Sequence, residues 1–101
     1  MMMNSIDQVR TLLCPDISLT EFSTQLSDQA LAAVARHYHS YADEFTIDEM
    51  FQKPLIAVHL RFGDCPIDMM LTYDPDPDEN VRRHSIKVVQ VGTRLADFKL
   101  F

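Results

Sequence analysis

The pattern of apolar and polar positions changes near the middle of the chain. In residues 28–41, apolar side chains recur every three or four positions, which is the spacing of one face of an α-helix. In residues 55–62 and 67–74 they alternate with polar ones, as in half-buried β-strands. The sequence therefore predicts an α+β fold, with N-terminal helices packed on one face of a C-terminal antiparallel sheet of three to four strands. We expect a helical half (1–53) and a β half (54–101) within a single domain, 1–101.

Helix starts are indicated by capping boxes, in which a Ser or Thr is followed three residues later by Glu or Gln. The boxes begin at Ser5, Ser18 and Thr46. The first predicted helix ends at Cys14-Pro15, because the residue before a proline disfavours helical geometry. We expect Ser27 or Asp28 to cap a separate main helix over 28–41.

The sheet pattern predicts a hairpin with Phe62 opposite Ile67, a register that gathers the apolar residues on one face. A third strand is predicted over His84–Val91. Residues 94–101 are compatible with a short fourth strand or a helical tail. If the third strand lies at an exposed edge, the sequence also allows a homodimer formed by edge-strand pairing.

Composition limits the class of protein. The chain has 101 residues, of which 47% are hydrophobic, enough to form a core. It has no apolar run of about 18 residues and no basic, then apolar, N-terminal signal pattern. We interpret its two cysteines, Cys14 and Cys65, as free thiols, and we expect a cytoplasmic protein.

The net charge is −6, and residues 1–54 carry most of it, with eight acidic and three basic residues. This balance disfavours direct binding to nucleic acid or to an anionic membrane, and it suits a basic protein partner.

The acidic segment, residues 74–80, reads Asp-Pro-Asp-Pro-Asp-Glu-Asn. Its prolines fix the backbone and remove donors, so we expect a stiff loop that presents Asp74, Asp76, Asp78 and Glu79 to a partner. The three aspartates have the spacing that begins a calcium loop, but Glu79 replaces the required glycine and Ser85 the final glutamate. A solvated loop that discourages aggregation is the alternative without a binding role.

A second acidic cluster is a further candidate for partner binding. It consists of Asp43, Glu44, Asp48 and Glu49. The last two fall in the first turn of the predicted helix that begins at Thr46, where the helix dipole favours acids and offers a structural explanation.

Cofactor chemistry has little support in the sequence, and we predict no catalytic residue, no metal and no cofactor. His37 and His39 are two apart and point to different sides of a helix, so they do not share a metal ion there. Both cysteines precede a proline, a dipeptide found at some haem-regulated thiolate sites. A small metal- or haem-binding protein is thus one alternative.

Residues 27–58 resemble the middle of acyl and peptidyl carrier domains. Ser27 falls where that family carries its prosthetic-group serine, and Phe45 and Pro54 fall on its third helix and the stretch that follows. The residues flanking Ser27 depart from the family's Gly-x-Asp-Ser-Leu motif, since Leu26 replaces the aspartate before the serine and Asp28 replaces the leucine after it. The resemblance implies, as another alternative, a degenerate carrier-like domain.

The chain lacks a glycine-rich phosphate loop and a nucleophile elbow, so the leading hypothesis is a non-enzymatic, acidic protein-binding module. In its specific form, the protein is an inhibitor or immunity (antitoxin-like) protein that neutralises a basic nuclease-like or nucleic-acid-binding partner.

Overall fold

The structure is a computed structural model that describes residues 2–42 and 55–101, and it confirms the predicted α+β class. Two helices pack against a four-stranded antiparallel sheet of order β1-β2-β3-β4. The elements are α1 (Ile6–Leu13), α2 (Leu19–Ala42), β1 (Ile56–Phe62), β2 (Cys65–Thr72), α3 (Glu79–Ser85), β3 (Lys87–Val91) and β4 (Arg94–Lys99). Within these ranges, no helix is both long and apolar enough to cross a membrane.

The first two predicted helix starts are confirmed. The Ser5 hydroxyl accepts the Gln8 N–H at 3.1 Å, and the Ser18 hydroxyl accepts the Glu21 N–H at 3.2 Å. α1 ends at Leu13, as the following Cys14-Pro15 dipeptide predicts. The third box, at Thr46, lies outside the described residues.

The predicted helix start at Ser27 or Asp28 is wrong, because α2 is continuous through both residues. The chain has no proline or glycine between Leu19 and Ala42, so nothing interrupts the helix. Its buried residues continue one stripe across the predicted break: Phe22, Leu26, Ala30, Ala33 and Val34.

The predicted hairpin is present, but its register differs by two residues. Phe62 pairs with Cys65, not with Ile67, and only Gly63 and Asp64 connect the strands. Gly63 has φ +62°, while no non-glycine residue among those described has positive φ. That sign pattern is typical of a two-residue type II′ turn, which replaces the predicted four-residue loop and extends the pairing to Phe62 and Cys65. The same residues still face the core, because a shift of two preserves the alternation.

The third strand begins later than predicted. His84 and Ser85 belong to α3, and β3 starts at Lys87. The weak alternation in this strand has a local cause, since the pairing of β3 with β4 shifts register between Val88 and Gln90. The irregularity lets Val88 and Val91, three residues apart, both be buried.

The C-terminal residues form a fourth strand, β4, which places β3 inside the sheet. β3 is therefore paired on both sides, and the edge strands of the described sheet are β1 and β4. A homodimer formed by edge-strand pairing stays a prediction. The outer side of β4 already pairs with the N-terminal segment: Met3 donates to the Leu95 carbonyl and accepts from the Asp97 N–H, both at 2.9 Å.

The core lies between α2 and the inner face of the sheet. Phe22 of α2 packs against Phe62 of β1 with ring centroids 4.8 Å apart. Met69, Leu71 and Val88 are at most 2% exposed beneath them. The opposite sheet face carries exposed ion pairs, including Lys87 with Asp97 at 2.6 Å. An antiparallel sheet covered on one side only has this distribution.

Candidate functional site: the acidic segment and its support

The acidic segment leaves β2 and enters α3, so a helix follows it directly. Asp74 is half-buried, and its N–H donates to the Ser85 hydroxyl at 2.7 Å. The same hydroxyl donates to the Arg82 carbonyl at 2.8 Å. The start of the segment is thus tied to the end of α3. The Asp74 Oδ1 atom is buried and has no hydrogen-bond partner among the described residues.

Two of the predicted binding carboxylates also shape the backbone. The Asp76 Oδ1 atom accepts the Asp78 N–H at 2.8 Å, which forms an Asx turn. The Asp78 Oδ1 atom accepts the Asn80 N–H at 2.9 Å and caps α3. Both side chains therefore have a structural role in addition to any role in binding.

Arg82 stabilises this turn through hydrogen bonds to its backbone. The residue is only 8% exposed, and its Nη1 group donates to the carbonyls of Asp76 and Pro77 at 2.8 and 2.9 Å. The guanidinium lies over the ring of Tyr38, 3.9 Å from the centroid, and so connects the turn to α2. These contacts fix the backbone that carries the carboxylates.

The negative charge of the segment is not cancelled by ion pairs within the described part of the chain. Arg82 bonds carbonyls, and Arg83 lies over the ring of Phe101 at 4.9 Å. Asp78 and Glu79 are exposed at the start of α3. The structure thus places the four predicted residues, Asp74, Asp76, Asp78 and Glu79, in one hydrogen-bonded turn, which we call the acidic turn. The second predicted cluster, Asp43, Glu44, Asp48 and Glu49, lies outside the described residues.

The sequence prediction missed α3 and the role of Arg82. A signal for the helix was present: Asp78 is a favourable cap, an acid follows it, and residues 82–84 place basic side chains in the last turn. The aromatic partner of Arg82 lies 44 positions earlier in the chain, and no local pattern indicates that contact.

The histidines have separate partners. His37 Nδ1 lies 2.7 Å from the Tyr73 hydroxyl, and burial lowers the pKa of His37 from its usual 6.5. His59 pairs with Asp68 at 2.6 Å on the exposed sheet face. Among the described residues, no three His, Cys, Asp or Glu side chains converge as metal ligands.

The prediction of two free thiols is wrong. Cys14, after α1, and Cys65, at the start of β2, form a disulfide with a Cα–Cα distance of 6.0 Å. The two residues are 51 positions apart in the chain, so no local sequence pattern indicated that they pair. Because each sulfur is bonded to the other, neither is a thiolate able to bind haem iron.

Ser27 lies within α2, where it is half-buried and helical on both sides. The carrier resemblance implied a serine that precedes a helix, and the structure does not provide that geometry. The chain matches no protein-family model, no curated protein and no solved structure.

Proposed function

We propose that this chain is a small acidic protein-binding module, and that it acts as an inhibitor or immunity (antitoxin-like) protein against a basic nuclease-like or nucleic-acid-binding partner. The observation that supports this proposal best is the pair of hydrogen bonds that Arg82 donates to the carbonyls of Asp76 and Pro77, which we call the clamp. It pre-orders an acidic turn before any partner arrives.

Pre-ordering matters because a binding loop that is already fixed loses little conformational entropy on association. Proteins that grip phosphate carry positive clefts, and an acidic partner is steered towards such clefts and blocks them. The turn offers Asp76, Asp78 and Glu79 for that contact, and the net charge of −6 adds a long-range attraction.

The same charge disfavours nucleic acid and anionic membranes as direct ligands. Cytoplasmic localisation remains a prediction, and the Cys14–Cys65 disulfide argues for exposure to an oxidising environment at some stage. Trapping thiols with an alkylating reagent in intact cells tests this point, since a cytoplasmic, reduced protein is alkylated at both cysteines.

The test of binding uses substitutions that remove charge and keep the turn. In the triple variant Asp76→Asn, Asp78→Asn and Glu79→Gln, the side-chain oxygens that accept from the backbone are retained. The protein captures its partner from host extract, and association is then measured with the purified partner at several salt concentrations. We expect association to slow by about tenfold or more at low salt, and nuclease inhibition to weaken in parallel.

A charge-matched control isolates the turn from net charge. Asp16, Asp28 and Asp64 are exposed and lie outside the acidic segment, and their replacement by Asn changes the net charge equally. If the control slows association as much as the turn variant does, or if neither changes it, the acidic turn is not the contact.

A further inference from the structure

A cleft of about 410 Å³ lies behind the acidic turn, between α2 and α3. Leu31, Val34 and Ala35 contribute an apolar wall from α2. Arg82 and Arg83 line the cleft from α3. The volume falls within the range of small-molecule sites, which combine apolar walls with a few polar groups.

The charge in this cleft is unbalanced. Two guanidinium groups and the exposed imidazole of His39 line it, and Glu79 is the one acidic side chain among its described lining residues. No ion pair joins Arg82 or Arg83 to a carboxylate in the described ranges 2–42 and 55–101.

Arg82 is the unusual member of this group. A charged side chain that is 92% buried normally has a charged partner, because desolvation of an unpaired charge is costly. The described partners of Arg82 are two neutral carbonyls, both bonded to Nη1, and the Tyr38 ring. Its Nε and Nη2 donors take no part in those bonds. Neither atom is among the buried unpartnered atoms of the described residues, so these donors are not sealed inside the core. A planar guanidinium that presents such donors matches a carboxylate head group.

We propose that the cleft between α2 and α3 binds a small amphipathic carboxylate, with the apolar body against Leu31, Val34 and Ala35 and the carboxylate on Arg82 and Arg83. This site adjoins the proposed protein contact, with which it shares Glu79. It takes a small molecule on the free protein, so its test needs no protein partner.

The test compares two probes of equal chain length. The ¹⁵N-labelled protein is titrated with sodium octanoate and, in parallel, with 1-octanol at matched concentrations, and amide shifts are followed. We expect saturable shifts at Ala32, Ala35, Arg82 and Arg83 with octanoate, and binding of octanol weaker by about tenfold, because it lacks the charge-assisted hydrogen bonds. Sodium phosphate as a third probe, without an apolar body, is expected to give no saturable shift at Ala32 or Ala35.

Two exposed positions give variants that preserve the fold. Ala35→Leu fills the apolar wall with a good helix former, and Arg83→Gln removes one guanidinium. Each is expected to weaken octanoate binding by about tenfold. Arg94→Gln, an exposed position of β4 outside the cleft, removes the same charge and is expected to leave binding unchanged.

Three outcomes overturn the proposal: no saturable shift around the cleft, equal affinities for octanoate and octanol, or equal weakening by Arg83→Gln and Arg94→Gln. None of these probes or variants changes a carboxylate of the acidic turn, so a negative result here does not count against the proposed protein contact. In the same way, a negative result for the protein contact does not count against the carboxylate site.

Discussion

The guanidinium of Arg82 lies 3.9 Å above the ring of Tyr38, and this contact joins α3, which follows the acidic turn, to α2, which forms the apolar wall of the cleft. From the same position, Nη1 holds the carbonyls of the acidic turn. One buried side chain therefore supports the turn on one side and lines the cleft on the other.

Loss of this side chain should destabilise the protein and loosen the turn. We expect Arg82→Met to lower the free energy of unfolding by about 2–3 kcal/mol, because two charge-assisted hydrogen bonds and the ring contact are lost while the apolar stem is retained. Urea unfolding gives the free energy, and amide exchange at Asp78 and Asn80 reports on the turn. Tyr38→Phe keeps the ring and serves as the control. Unchanged exchange in Arg82→Met would show that the clamp does not order the turn.

Two substitutions of Asp78, the N-cap of α3, distinguish the contribution of its hydrogen bond from that of its charge. Asp78→Ala removes the acceptor of the Asn80 N–H and should cost about 1 kcal/mol of stability. Asp78→Asn keeps an acceptor and should leave the free energy of unfolding nearly unchanged, although it removes one charge. Urea unfolding of both variants checks this. An equal loss in both would mean that the carboxylate charge, and not the hydrogen bond, stabilises the helix.

The disulfide is expected to contribute strongly to stability. It closes a loop spanning 51 positions, and the chain-entropy relation gives about 4 kcal/mol for a loop of that length. Unfolding of the oxidised protein is compared with that of Cys14→Ser/Cys65→Ser, while intact mass before and after reduction reports the bond. An oxidised protein whose mass does not change on reduction would contradict the disulfide itself.

Stability should depend on pH through His37. Burial lowers the pKa of this side chain below 6.5 in the folded state, so the unfolded chain binds the proton more tightly. The stabilisation is therefore fully present above pH 6.5 and is lost as the pH falls from there through the folded-state pKa. Urea unfolding across this range is compared with His37→Gln, which should flatten the dependence. The exposed His59 provides a control in the variant His59→Gln. If this variant flattens the pH dependence of the free energy of unfolding as much as His37→Gln does, the dependence does not come from His37.

Local patterns predicted the elements whose causes are local. The Ser5 and Ser18 caps, the end of α1 before Pro15 and the alternation of β1 and β2 depend on neighbours in sequence, and each is present. The hairpin register failed because the turn geometry at Gly63 decides it, and a shift of two residues leaves the apolar face unchanged. The helix start at Ser27 failed because a serine within an uninterrupted apolar stripe need not be a cap.

The sequence by itself determined the α+β class, with helices before an antiparallel sheet, and the acidic segment that follows the second strand, since periodicity, prolines and charge are properties of short stretches. It did not determine α3, which lies within the predicted β half. Only the tertiary structure decided which distant groups meet. It paired Cys14 with Cys65, set Arg82 on Tyr38, and placed β3 inside the sheet by adding β4. The disulfide and the contact of Arg82 with Tyr38 join residues 51 and 44 positions apart, so no local pattern encodes them. β4 follows β3 through a short turn, and the structure decided between the fourth strand and the helical tail that the sequence left open.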